Sequence, residues 1–300
     1  MTPDGVTLDD KKHPVSEINR IAVGKEPSAI NRLRREMLDG QFADCLAGIA
    51  KLRNLPDEPL LRQEIEFMQA FSTARLSLAQ GAVPANKAGT AINNFLSKYP
   101  NSMHTYPATE QFGHLAYSIG KPELAAEKFE KLRGAKWDKY QMRGLFFHGR
   151  MMSVLGKTRE AKADFDGILK QNLNSDEAVQ YKLLARCELA RIEGVTGNAT
   201  TALEKLNQLI KNEDDRNAEL FAYLYNAIGA IHNQNNNQKE ARDAYLHTQL
   251  LFGSEEDPAA EALYRLSKIY VTLKDSQRAG EAKQELQSKY RNSYWFKIGS

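Results

Sequence analysis

Small and large apolar side chains recur along the chain in a pattern that predicts pairs of amphipathic helices. Turn-type residues mark the pattern at intervals of 36 to 41 positions, as from Gly120 to Gly156 and from Gly156 to Gly197. The complete set is Gly40, Gly81, Gly120, Gly156, Gly197, Asn236 and Asp275. Self-similarity at a fixed period is typical of helical repeat proteins, in which each repeat packs on its neighbours.

After each turn the same order of side chains follows: a small residue, a large one four positions on, and a second large one three further on. Ala125, Phe129 and Leu132 are one such trio. Others are Cys45, Ile49 and Leu52; Ala88, Ile92 and Phe95; Ala161, Phe165 and Ile168; Ala202, Leu206 and Leu209. Thr248 completes the trio after Ala241 and Tyr245, and Lys283 is the polar exception near the end. Because spacings of four and three share one helical face, each trio predicts a helix with one buried side.

A second helix is predicted before each turn. Gly113, Gly149 and Gly229 each lie twelve positions before the small residue of a trio. The last repeat carries Ser267 there, and the repeat before Gly197 carries Ala190 or Glu193 in that region. A helical glycine costs about 1 kcal/mol relative to alanine, so we expect close helix contact to compensate.

This spacing of glycine, alanine and a bulky residue resembles the tetratricopeptide repeat (TPR) family over residues 28–293. The resemblance implies an all-α, right-handed superhelix of about seven helical hairpins. The period of about 39 exceeds the family's 34 residues, which predicts longer helices or loops. HEAT repeats have a nearer period but lack the glycine-to-alanine spacing, so we prefer TPR.

Residues 1–27 differ from the repeats, which occupy residues 28–300. Residues 6–8 and 15–23 favour β-structure, with apolar Ile18, Ile21 and Val23 between charged residues. They predict either a β-hairpin packed on the first helix or a frayed tail. We also consider the segment the remnant of a small β module that begins upstream, in which case an export signal would lie upstream too.

Composition and charge limit the classes of partner. The chain has 42% hydrophobic residues and a formal charge of +3, so we expect no nucleic-acid partner. A helix needs a run of roughly 18 apolar residues to span a bilayer, and the sequence contains no such run. No integral membrane segment is therefore predicted. As written, the sequence predicts a cytoplasmic protein, or a periplasmic one if its true start lies upstream.

Catalytic and metal-binding patterns are not found in the sequence. The GxGxxG, GxxxxGK[ST], HExxH and GxSxG motifs are missing, and the six histidines do not pair at helical spacing. Cys45 and Cys187 are expected to be free, buried thiols. We therefore expect a protein that is not an enzyme, without catalytic, cofactor or metal residues. An enzyme on a helical scaffold is the less favoured alternative.

The TPR resemblance implies that the first helix of each pair lines a concave groove for a peptide or helix of another protein. Its register gives a candidate partner-binding set of mixed polar, aromatic and charged residues. The set is Glu110, His114, Tyr117, Arg143, Phe146, Arg150, Tyr223, Asn226, Asn233, Glu261, Tyr264 and Lys268. The lysine and asparagine set with which some TPR domains grip a terminal carboxylate is not reproduced here. An interaction scaffold or adaptor is the favoured function.

Two helix ends carry similar sequences, FLSKYPNS at residues 95–102 and KYRNS at residues 289–293. With the stretch 259–295, they resemble bacterial cell-envelope TPR proteins of the Tol–Pal-associated and outer-membrane-assembly types. The resemblance implies an alternative function, that of an exported subunit for envelope assembly or regulation.

Overall fold

The computed structural model describes residues 2–8, 10–14, 26–52 and 57–300. The chain is divided into two compact units, Met1–Phe147 and His148–Ser300. Within the described residues the units contain fifteen α-helices and one two-stranded sheet. Helices that follow one another pack as pairs, which confirms the all-α repeat class and the seven hairpins predicted from the sequence.

The first unit begins with an antiparallel hairpin, β1 (Gly5–Leu8) and β2 (Lys11–Pro14). Its helices are α1 (Ser28–Leu38), α2 (Phe42–Ala50), α3 (Pro59–Gln80), α4 (Ala85–Lys98), α5 (Thr105–Ser118) and α6 (Pro122–Arg133), followed by the start of α7 (Asp138–Val154). Just before β1, Asp4 accepts a 2.7 Å hydrogen bond from the Tyr106 hydroxyl of α5. The hairpin is therefore anchored to α5. The predicted β-favouring run at residues 15–23 lies outside the described residues.

The second unit contains the end of α7 and eight further helices. These are α8 (Thr158–Leu169), α9 (Asp176–Val195), α10 (Ala199–Asn212), α11 (Ala218–Gln234), α12 (Gln238–Leu251), α13 (Glu256–Thr272), α14 (Ser276–Lys289) and α15 (Tyr294–Gly299). Odd-numbered helices up to α13 are the first helices of their pairs. The six-residue α15 packs on α13. Among the described residues no helix is both long and apolar enough to cross a membrane.

The trios predicted from the sequence form the core between the helices. Ala161, Phe165 and Ile168 are fully buried, as are Ala125 and Leu132. Polar Lys283, in the last trio, is exposed on α14.

Glycines allow the expected close approach of paired helices. A Cβ atom on Gly113 would lie 2.6 Å from the Phe129 ring, and one on Gly229 would lie 2.8 Å from the Tyr245 ring. In α9 the tightest contact is at Gly194, where a Cβ would lie 2.4 Å from Ile231. The sequence pattern suggested Ala190 or Glu193 in place of a glycine in this repeat, and Gly194 was missed.

Turn residues mostly adopt the left-handed backbone conformation that favours glycine. Gly40, Gly81, Gly120 and Gly156 have φ between 60° and 79°. In the last turn this conformation belongs to Lys274 (φ 62°) and not to Asp275, whose side chain instead caps α14. The long period arises from long first helices, such as the 22 residues of α3 and the 20 of α9.

Candidate functional site

A pocket of about 380 Å³ lies within the second unit, among the first helices α7, α9, α11 and α13. Its walls include apolar side chains from α7 and α9 and aromatic side chains from α13 and α15. The residues that line it include Arg150, Ser153, Val154, Glu188, Arg191, Ile192, Val195, Ala230, Asn233, Tyr245, Glu261, Tyr264, Arg265, Trp295 and Ile298. The residues named here come from six helices, α7, α9, α11, α12, α13 and α15, and converge on one cavity.

Buried ion pairs form one side of this pocket. Arg150 donates 2.7 Å hydrogen bonds to Glu188 of α9 and to Asp257 of α13. Arg191 donates to both carboxylate oxygens of Glu261, at 2.5 and 3.3 Å. Arg150 and Glu261 are 4% and 0% exposed. Buried charges are stable only when paired and hydrogen-bonded, which these are.

The pairing fixes the protonation state of Glu261. Burial alone would raise the pKa of this carboxyl, but Arg191, Arg265 and Arg150 together lower it to about 2. Opposite charges at these distances favour the ionised form of an acid. Glu261 is therefore a fixed negative charge that is already shared among three arginines.

The short helix α15 closes another side of the pocket. The indole Nε1 of Trp295 donates a 3.0 Å hydrogen bond to Asp257, the residue that also binds Arg150. Arg265 lies 5.2 Å from the Trp295 ring centroid and 5.7 Å from that of Tyr264. Ile298 of α15 also lines the pocket and is exposed.

Three polar atoms of pocket residues are buried without a hydrogen-bond partner among the described residues. They are the Tyr245 hydroxyl, the Arg265 Nε and the Ser153 hydroxyl. Burial raises the pKa of Tyr245 to about 12, so its hydroxyl keeps its proton. Most buried polar groups in proteins have partners, and each exception calls for an explanation.

Four of the residues predicted to bind a partner line this one pocket: Arg150, Asn233, Glu261 and Tyr264. Three more lie near these four. Tyr223 is buried beneath the Arg150 guanidinium, 4.7 Å from ring centroid to Cζ, and the Asn226 amide donates 2.8 Å to the Pro258 carbonyl. Lys268 is exposed on α13, 5.4 Å from the Tyr264 ring.

The remaining predicted residues lie in the first unit. Arg143 donates to both carboxylate oxygens of Glu110 at 3.0 Å, and His114 Nε2 lies 3.9 Å from the same carboxylate. Tyr117 and Phe146 are buried. Of the twelve predicted residues seven are thus buried: Glu110, Tyr117, Phe146, Arg150, Tyr223, Asn226 and Glu261. Direct contact of the set with a partner stays a prediction.

Sequence reasoning missed Arg191, Tyr245, Arg265 and Trp295 as pocket residues. Tyr245 was interpreted only as the large residue of its trio, although its hydroxyl distinguishes it from Phe129 and Phe165. Trp295 lies beyond the last repeat. The available signal there was Ser293 followed by three aromatic residues, since serine is a favoured N-cap and does cap α15.

The chain is similar to known proteins in structure and not in sequence. No protein-family model matches the chain, and no curated protein of similar sequence was found. A TPR protein from Parabacteroides merdae aligns with a TM-score of 0.62 and 19% identity, over 91% of this chain and 99% of that one.

Two further solved structures are similar at lower identity. A Rap protein complexed with competence and sporulation factor aligns with a TM-score of 0.57 and 16% identity, over 89% of this chain and 77% of that one. The apo form of the quorum sensor NprR from B. thuringiensis aligns with a TM-score of 0.52 and 9% identity, over 86% and 85%. The chain therefore has the TPR-type fold.

Proposed function

We propose that this chain is an interaction scaffold that binds a segment of another protein, with one side chain of that segment entering the pocket of the second unit. The observation that carries the proposal is the pocket itself. Its volume of about 380 Å³ lies in the range of binding sites, and its lining combines charged, aromatic and aliphatic side chains. Aromatic and arginine side chains, which line this pocket, also contribute most to binding energy at protein interfaces.

Exposure separates the predicted residues into two roles. His114, Arg143, Asn233 and Tyr264 are partly exposed and Lys268 is exposed, so these five can contact a partner without rearrangement. The seven buried residues hold the first helices in position. The Rap and NprR structures support the proposal at the level of fold, since one is a complex with a factor and the other is a sensor.

A scaffold is favoured over an enzyme by the electrostatics of the pocket. With a pKa of about 2, Glu261 carries no proton to donate near neutral pH and is a weak base. A general acid or base works best when its pKa lies near the working pH. Glu261 therefore suits fixed charge pairing better than proton transfer.

An exported envelope role is the alternative hypothesis, and the helix-end sequences that suggested it have structural roles. The Tyr290 hydroxyl donates 2.6 Å to the Gly253 carbonyl, and the Tyr99 hydroxyl donates 3.1 Å to Glu66. Ser293 caps α15, and Ser102 accepts from the His104 amide. Contacts within and between hairpins account for both sequences, so they do not favour one compartment. Cell fractionation of the tagged protein would test the alternative.

Selection from a displayed library of short random peptides tests the scaffold proposal. Selection would be run on three chains: the wild type, Ala230→Trp, which fills the pocket, and the matched control Ala47→Trp, at an exposed position of α2. We expect peptides that bind wild type and Ala47→Trp but not Ala230→Trp, with circular dichroism confirming that all three chains are folded. Failure to enrich peptides, or equal binding to all three chains, would reject the proposal.

A further inference from the structure

We propose that Tyr245 and Arg265 form a subsite for a carboxylate, so that the segment bound in the pocket is an acidic peptide that inserts an Asp or Glu side chain. This inference rests on the proposed scaffold function and names the chemistry of its partner. The two residues come from α12 and α13 and both line the pocket.

The Tyr245 hydroxyl is not required for packing. The same position of other repeats is occupied by Phe129 and Phe165, whose rings fill the space beside a glycine of the preceding helix as the Tyr245 ring does beside Gly229. An unpaired buried hydroxyl costs about 1–3 kcal/mol. Phenylalanine would avoid that cost, so the hydroxyl is best explained by a ligand that pairs with it.

Arg265 is the least neutralised arginine of the pocket. Its Nη2 lies 3.6 Å from Glu261, beyond the hydrogen bonds that Arg191 makes to the same carboxylate, and its Nε has no partner. Its side chain is 35% exposed, against 5% for Arg150. Arg265 therefore keeps an unpaired, buried Nε donor on a side chain that is otherwise partly exposed.

The unpaired hydrogen-bond donors of the pocket favour an anion. Its lining contains three arginines (Arg150, Arg191 and Arg265) and two carboxylates (Glu188 and Glu261), and Asp257, from outside the lining, pairs with Arg150. The network is therefore balanced in charge, and Arg265 is its least closely paired cation. Both free groups, a tyrosine hydroxyl and an arginine Nε, can donate to an oxygen acceptor. A carboxylate supplies two acceptor oxygens and one negative charge, and hydrogen bonds to charged groups are the stronger ones.

The surroundings of the subsite fit an acidic residue with apolar neighbours. Val154, Ile192 and Val195 line the same pocket, and exposed Ile298 lies beside it on α15. Methylene groups of the inserted side chain and flanking apolar residues of the peptide can pack against them. Free carboxylate ions lack this apolar contact, so a peptide is the better ligand.

Fluorescence of Trp295 measures the binding directly. The chain has two tryptophans, so Trp137→Phe, a change in the other unit, leaves Trp295 as the single reporter. The probes are two doubly capped peptides, acetyl-Ala-Leu-Glu-Leu-Ala-amide and its Gln counterpart, in which the carboxylate is the only charge. We expect the Glu peptide to bind about tenfold tighter than the Gln peptide, the size of one charged hydrogen bond.

Substitutions test the two proposed residues. In Tyr245→Phe the Glu peptide should bind only as well as the Gln peptide, while the stability of the chain stays equal or rises because an unpaired hydroxyl is removed. Arg265→Gln should have the same effect on binding, and Arg265→Lys should restore part of it by keeping the charge. Tyr225→Phe, outside the pocket, should leave both affinities unchanged.

Three results would overturn the inference. Equal binding of the two peptides would leave the scaffold proposal standing and reject the carboxylate subsite. Loss of stability in Tyr245→Phe with unchanged selectivity would show that the hydroxyl has a structural role. Absence of binding by both peptides would also reject the subsite, and the displayed-peptide selection would then decide the scaffold proposal independently.

Discussion

The Arg150 guanidinium donates a 2.7 Å hydrogen bond to Asp257, a residue 107 positions further along the chain. A second nitrogen of the same guanidinium donates 2.7 Å to Glu188. One side chain thereby connects α7, α9 and α13 within the second unit. Asp257 in turn accepts from Trp295 of α15, so the ion pair also supports the closing wall of the pocket.

Replacing Arg150 should destabilise the second unit strongly. Arg150→Met leaves the carboxylates of Glu188 and Asp257 without their arginine, and removal of one partner of a buried ion pair costs about 3–5 kcal/mol. Urea unfolding followed by circular dichroism measures the change in the free energy of unfolding. Arg216→Met is the matched control, because Arg216 is 87% exposed and pairs with Asp214 at the surface. We expect that control to change stability by less than about 0.5 kcal/mol, and equal losses would contradict a buried network.

Two glycine substitutions should have opposite effects on stability. A Cβ on Gly113 would lie 2.6 Å from Phe129, so Gly113→Ala should destabilise the first unit by about 1–3 kcal/mol. A Cβ on Gly280 would meet nothing within 4 Å, and Gly280 is exposed on α14, so Gly280→Ala should stabilise by about 1 kcal/mol through helix propensity. Thermal unfolding gives both values. A stabilised Gly113→Ala chain would show that α5 and α6 do not approach as closely as described.

Acid should weaken the first unit through Glu64. This carboxylate lies 2.6 Å from His104 Nε2 and 2.8 Å from Arg34 Nε. Burial alone would raise its pKa, but His104 and Arg34 lower it from 4.5 to about 2. A depressed pKa gives stabilisation that is complete above the ordinary value and is lost as the pH falls from about 4.5 toward 2.

Glu64→Gln tests this pH dependence. Between pH 5 and 2, protonation of Glu64 should lower the free energy of unfolding of the wild-type chain by on the order of 3 kcal/mol. The variant should lack this contribution. Urea unfolding at a series of pH values measures the slope. Glu281→Gln, which removes an exposed carboxylate on α14, is the control for a change of one charge. The same slope in Glu64→Gln and wild type would rule out the assigned role.

The β-hairpin should depend on Tyr106 for its attachment. Tyr106→Phe removes the hydroxyl that donates to Asp4, and Lys136 Nζ then remains as a partner 3.4 Å from that carboxylate. Hydrogen exchange of the amides in β1 and β2 should become faster, because a pair of strands has little stability on its own. Tyr99→Phe, which removes a hydroxyl bonded to Glu66, should leave the hairpin amides unaffected.

The repeat core could be predicted from the sequence because its signal is local. Ala161, Phe165 and Ile168 share a helical face through spacings of four and three, and each trio repeats the signal. The displaced glycine of α9 escaped prediction because its contact with Ile231 lies in the next hairpin. Spacing within one helix does not report on that neighbour.

The pocket could be predicted only in part because its geometry depends on distant pairs. The sequence assigns both Arg143 and Arg150 of α7 to the groove, yet the Arg150 side chain is 5% exposed and that of Arg143 26%. The difference arises from Asp257 and Glu188, which approach from other repeats. The six residues of α15 are likewise too few for a helical period to show.

The ion pairs Arg150–Asp257 and Arg191–Glu261 join helices of hairpins that are not adjacent in sequence, and this affects how the second unit unfolds. A repeat array in which each repeat contacts only its neighbours can fray progressively from its end. Here release of α13 would separate Glu261 from Arg191 and Asp257 from Arg150, so two ion pairs would break at once. Loosening of the terminal hairpin is thereby coupled to helices α7 and α9, and the second unit should melt in a single cooperative transition.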